Sequence, residues 1–164
     1  MKKFLFLCAL CVLCGDSAIF AAQIGGPVAI DPIPNKDEIQ VVKPKEITGK
    51  EKQVQVKLPA KALTIVAVAA EAPALEAGVV ITVVNRISKD GGKTWTDFGR
   101  FTCSPPPWLD KTKCEVVFFE AGPDGKPILL PDGTLMESDI ETKDTAGTDK
   151  KGTVGLKYTV GKAP

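Results

Sequence analysis

Along much of the chain apolar residues recur at every second position in short runs, the spacing of strands with one buried face. In Gln53-Val54-Gln55-Val56-Lys57-Leu58 the alternation is strict and puts Val54, Val56 and Leu58 together. Leu63 to Ala70 is apolar on both faces. Its β-branched centre predicts a buried strand, while its alanines also permit a helix that Pro73 would end. Gly78 to Ile87, around Val79-Val80-Ile81-Thr82-Val83-Val84, predicts a second buried strand, and Thr94 to Cys103 a third. Strict alternation in that third strand puts Phe98 and Phe101 on opposite faces. A β-bulge at Gly99 would bring them to the same face. Glu115 to Glu120 predicts a fourth strand. Pro-Asp-Gly turns at 123–125 and 131–133 bracket a weakly pairing segment, Ile128 to Leu130. Glu137 to Gly152 is polar and reads as a loop. Thr153 to Val160 alternates cleanly, with Val154, Leu156, Tyr158 and Val160 inward.

About seven or eight short strands with turn chemistry between them and no convincing helix predict an all-β chain. The expected architecture is an immunoglobulin-like β-sandwich, with a small β-barrel as the alternative. Residues 23–52 differ. They carry prolines at 27, 32, 34 and 44 and glycines at 25, 26 and 49, and read as a Pro/Gly-rich extended lead-in. Within it only Ile39 to Lys43 has strand character. The β domain is accordingly expected over 53–164.

The N-terminus follows another pattern. Lys2 and Lys3 precede an unbroken apolar run from Phe4 to Cys14, and small residues follow at Ala18, Ala21 and Ala22. That order predicts a secretory signal peptide over 1–22. The run is too short to span a bilayer, which needs about 20 residues, so no stable membrane span is expected after cleavage. The chain is expected to be secreted, at the cell surface or periplasmic. Cys8, Cys11 and Cys14 lie within the apolar run, where cysteine serves as a small hydrophobe. Lipidation at Cys14 is disfavoured because Leu13 stands where a lipobox needs a small residue.

Removing 22 of the 164 residues leaves 142, with 19 basic and 19 acidic side chains. A neutral chain has no positive excess to hold a phosphate backbone, so no nucleic-acid partner is expected. Two cysteines remain, Cys103 and Cys114. In an oxidising compartment they are expected to form a disulfide.

Ser88-Lys89-Asp90-Gly91-Gly92-Lys93-Thr94-Trp95 reads Ser-x-Asp-x-Gly-x-Thr-Trp. Asp90 can accept hydrogen bonds from the backbone N–H groups of its own turn, and Gly91 and Gly92 can supply positive φ. Thr94 and Trp95 would start the return strand. The segment resembles the Asp-box hairpins repeated in sialidases and related β-propellers. In those families the motif is a structural turn, so the resemblance implies a structural turn at Ser88, Asp90, Gly92, Thr94 and Trp95. It covers eight residues and occurs once. Sialidases use three arginines and a tyrosine nucleophile, whereas this chain has only Arg86, Arg100 and Tyr158.

The chain contains no histidine, which removes histidine-based triads, general bases and metal ligands. No phosphate-cradling glycine loop or calcium-loop spacing is present. No catalytic residue, metal site or cofactor is therefore expected. Paired carboxylates are the one route to an enzyme, a small glycan hydrolase. Glu115, Glu120, Asp124, Asp132, Glu137, Asp139 and Glu141 are the candidates. Pro105-Pro106-Pro107-Trp108 forms a stiff segment with an aromatic tip. Pro106, Pro107 and above all Trp108 are candidate binding residues for a glycan or a protein pocket. The reading as a whole is an exported non-catalytic β-sandwich protein acting by binding or assembly, as a surface fibre subunit or adhesin-like structural protein. Its partner would be itself, a surface protein or a glycan. A Trp108-based accessory module and a two-carboxylate hydrolase are the alternatives.

Overall fold

The computed structural model describes residues 20–21, 33, 35–52, 55–74, 78–104 and 112–164. The signal-peptide reading, apart from 20–21, lies outside them, and so do Pro106, Pro107 and Trp108. The described chain is all-β. Its strands are β1 (Phe20–Ala21), β2 (Asp37–Lys52), β3 (Val56–Lys57), β4 (Ala62–Ala74), β5 (Val79–Ser88), β6 (Thr96–Cys103), β7 (Thr112–Phe119), β8 (Leu135–Asp144) and β9 (Lys151–Lys162).

They form one path, β1-β7-β4-β9-β2-β8-β5-β6, with β3 also paired to β8. All these pairings are antiparallel except β1 with β7. The path folds over at β2. Its first part, Asp37 to Thr48, pairs with β9, and Gly49 to Lys52 pair with β8. Two layers thus share one strand along one side. On the other side the path ends in β6 and in the two-residue β1 beside β7, and no ladder joins β6 to β7, leaving a nearly closed, barrel-like sheet among the described residues.

The core lies between the layers. Val66, Val68, Val154, Leu156, Tyr158 and Val160 come from one side, and Ile81, Val83, Met136 and Ile140 from the other; none is measurably exposed. The strict period of β5 and β9 places these residues inward, as their alternation predicts. Strand β4 is buried on both faces, because Ile65 and Ala67 pack outward against Val117 in a smaller second cluster. Its alanine-rich middle is a strand and not a helix, since it is held on both sides by β7 and β9.

Two expectations change. The segment Asp37–Lys52, read as lead-in, is the longest strand of the sheet. Its two apparent breakers have places within it. Pro44 falls between Val42 and Lys45, where the register to β9 shifts, so its missing N–H breaks no regular ladder. Gly155 sits across from it, where a Cβ would be 3.0 Å from the proline Cγ. Gly49 has φ +70° at the point where β2 changes partner from β9 to β8. Residues 37–52 therefore belong to the sheet itself.

The polar stretch from Glu137 is likewise not a loop. It belongs to β8, a central strand paired with β5, β2 and β3. Met136, Ser138, Ile140 and Thr142 face the core at alternate positions, and acids occupy the positions between them. Of the alternating run from Gln53, residues 53 and 54 lie outside the described residues, and Val56–Lys57 pair with Met136 and Leu135.

The bulge at Gly99 is present. Asn85 pairs with Gly99 but Arg86 pairs with Asp97, which leaves Phe98 as the extra residue. Phe98 and Phe101 consequently reach the same ring, Phe118, with centroids at 6.0 and 6.3 Å. The segment Ile128 to Leu130 pairs through a single bridge, Leu63 to Leu129, and the Leu130 N–H donates to the Ala62 carbonyl.

Candidate functional site

The turn joining β5 to β6 is organised around one carboxylate. Oδ1 of Asp90 accepts from the Lys93 N–H at 3.0 Å, the Thr94 N–H at 2.9 Å and the Ser88 hydroxyl at 2.8 Å. Oδ2 accepts from the Thr94 hydroxyl at 2.6 Å. The Ser88 oxygen in turn accepts from the Gly92 N–H at 2.7 Å. Gly91 and Gly92 take φ +72° and +93°, which closes the loop over the carboxylate. The hydroxyl and N–H of Thr94, followed by the Ser88 hydroxyl, hold the Asp90 carboxyl well below the usual carboxylate range. Both carboxylate oxygens are engaged by the turn itself. Trp95 follows, half-buried.

A similar turn, not foreseen from the sequence, joins β8 to β9. Asp144 Oδ1 accepts from the Ala146 and Thr148 N–H groups at 3.0 and 2.8 Å around Gly147 at φ +84°. The Thr148 N–H is the main cause that lowers the Asp144 pKa.

Two polar clusters sit on β8, one on each face. Inward, the Ser138 hydroxyl donates to Asn85 Oδ1 at 2.6 Å and contacts the Tyr158 hydroxyl at 2.5 Å. Serine has one proton, so Tyr158 is the donor to Ser138. Asn85 Nδ2 completes the relay by donating to the Gly99 carbonyl at 3.3 Å. Burial raises the Tyr158 phenol above its ordinary range, and it remains a neutral donor.

Outward, Arg86 Nη2 lies 3.0 Å from both Glu137 Oε1 and Asp139 Oδ2, and Lys50 Nζ is 3.2 Å from Asp139 Oδ2. Gln55 Nε2 approaches Glu137 Oε2 at 3.4 Å. Glu137 is 2% exposed, not a solvated loop acid. A buried carboxylate needs such partners, since an uncompensated charge is costly. Sequence reading missed both clusters because it placed β8 in a loop. The alternation Met136-x-Ser138-x-Ile140 was the available signal.

The remaining acid candidates do not converge on one site. Glu115 pairs with Lys113 at 2.9 Å, Glu120 with Lys89 at 3.4 Å and Glu141 with Lys143 at 2.8 Å. Asp124 Oδ1 accepts from the Lys126 N–H at 3.1 Å within the first Pro-Asp-Gly turn. Asp132 Oδ1 lies 3.5 Å from the Lys61 N–H. Glu137 and Asp139 do come together, but around Arg86. Among the described residues no group of three or more His, Cys, Asp or Glu is placed to hold a metal ion. No helix among them is long and apolar enough to cross a membrane.

At the open side, Cys103 of β6 and Cys114 of β7 form a disulfide with a Cα–Cα distance of 6.1 Å. Together with the Phe98, Phe101 and Phe118 rings it holds β6 and β7 side by side. Among the described residues, the outer edge of β7 pairs at Val116 and Val117, with Phe20 and Ala21 in parallel.

No protein-family model matches the chain, and no curated protein matches it. Solved structures of infectious bursal disease virus are similar at low levels. For the Gt strain the identity is 12% and the TM-score 0.46, over 84% of this chain and 38% of that one. For the VP2 subviral particle the identity is 11% and the TM-score 0.48, over 82% and 36%. The chain spans less than two fifths of the length of those chains.

Proposed function

We propose that the chain is an exported, non-catalytic β protein that works by assembly, as a structural component at a cell surface. One observation carries the reading. Among the described residues, two eight-residue strands, β6 and β7, lie side by side with no ladder between them, and beyond β7 the sheet continues in the two-residue β1. Exposed strand edges are templates for pairing with another chain, and natural monomers blunt them with bulges, charges or covering loops. Strand β6 has such a bulge at Phe98. Strand β7 runs from Thr112 to Phe119 in unbroken register with β4 and is rich in β-branched and aromatic residues.

The carboxylates also favour a structural role. Those of Asp90 and Asp144 organise turns, and those of Glu137 and Asp139 neutralise Arg86. Cell fractionation followed by sedimentation velocity of the purified protein tests the proposal. Export and concentration-dependent oligomers are expected. A chain retained inside the cell overturns the export reading, and a monomer at all concentrations overturns assembly.

A further inference from the structure

We infer that two copies of the chain join edge to edge along β7, antiparallel about a two-fold axis at Cys114. The inference rests on the assembly reading and names its surface and its partner.

Among the described residues, one edge of β7 is paired over two residues only. Strand β7 is bonded to β4 over eight residues, from Thr112 to Phe119. On its other side, among the described residues, only Val116 and Val117 are paired, by β1. Among the described residues, positions 112 to 115 have no second ladder. Only Val116 is shared between a ladder centred on Cys114 and β1, which itself lies in the segment predicted to leave on export.

The charges specify the partner as a second copy. Lys113 and Glu115 stand on the same face of β7, two residues apart, with their charged groups 2.9 Å apart. Cys114 between them points the other way, into the disulfide with Cys103. A two-fold axis at Cys114 sets Lys113 of each copy directly opposite Glu115 of the other, twice per interface. Opposite charges directly across a ladder stabilise it, and like charges destabilise it. The sheet already follows this alternation on the occupied side, where Lys113 lies across from Glu71 of β4. The added strand would continue it, Glu71 then Lys113 then the second copy's Glu115. Such an interface is isologous and closes at two, so it yields a dimer and not a fibre by itself.

Charge reversal and its compensation test the inference. The association constant is measured by sedimentation equilibrium for the purified chain, for K113E, for E115K and for the K113E/E115K double variant. Each single change replaces two opposite-charge pairs by two like-charge pairs and is expected to weaken association about tenfold. The double variant restores the pairing and is expected to recover to within about threefold of the parent. E115K leaves Glu71 opposite Lys113 intact and is the cleaner single variant. Circular dichroism confirms the fold of each, and the double variant keeps the test decisive if a single one fails to fold. Equal association in all four overturns the β7 edge while leaving assembly through another surface. Failure of the folded double variant to recover also overturns it. A monomeric parent overturns both the edge and the assembly reading.

Discussion

Gly99 of β6 lies flat against the ring of Phe118 of β7. A Cβ at Gly99 would stand 2.1 Å from Cε1 of that ring. The missing side chain and the bulge beside it let β6 and β7 approach without a ladder. Phe118 is 3% exposed and has no room to retreat. The residue also has φ +151°, which L side chains rarely adopt. Gly99→Ala is therefore expected to destabilise the fold by about 2–4 kcal/mol, from overpacking and backbone strain together. Urea unfolding measures it. Adding Phe118→Leu should recover part of the loss, and strictly additive costs would show that the two residues do not meet.

The inner relay predicts an order of costs. Tyr158→Phe removes the terminal donor, and Ser138 still donates to Asn85. About 1 kcal/mol is expected. Ser138→Ala leaves both the Tyr158 hydroxyl and Asn85 Oδ1 without their partner inside the core, and about 2–4 kcal/mol is expected. Chemical denaturation of the two variants checks the ranking, which the reverse order would refute.

Reduction of Cys103–Cys114 removes the covalent tie across the open side. The two cysteines are 11 residues apart. The loss expected from loop entropy is about 3 kcal/mol. Hydrophobic dye binding should rise on reduction as Phe98, Phe101 and Phe118 loosen. A Cys103→Ala/Cys114→Ala variant should behave like the reduced protein, with or without reductant.

Asp90 links the turn to pH. Its carboxyl is lowered in the folded chain from an ordinary value of 3.8. Its stabilisation is therefore fully present above that value and is lost as pH falls below it. Asp90→Asn should lower the melting temperature at neutral pH, and the gap to the parent should narrow by about pH 3. A gap that stays constant with pH would mean that the carboxylate charge does not stabilise the turn.

Much of this fold was legible in the order of side chains, because strands that bury one face announce themselves by a period of two. The strands β5, β7 and β9, the inward set Val154, Leu156, Tyr158 and Val160, and the bulge that unites Phe98 with Phe101 all follow from local pattern. So do the Asp90 turn and the pairing of Cys103 with Cys114, whose chemistry is confined to a few residues.

What local pattern does not contain is the partner strand. Pro44 and Gly49 read as breakers until β9 and β8 are in place. Then the proline falls at a register shift and the glycine at the change of partner. The acids of β8 read as solvated until Arg86 of β5 and Lys50 of β2 arrive beside them and make a buried Glu137 tolerable. The sparsely paired outer edge of β7 is likewise, among the described residues, a fact of the assembled sheet. A strand's sequence states which face it buries, but only the folded chain decides which of its two edges is left unbonded.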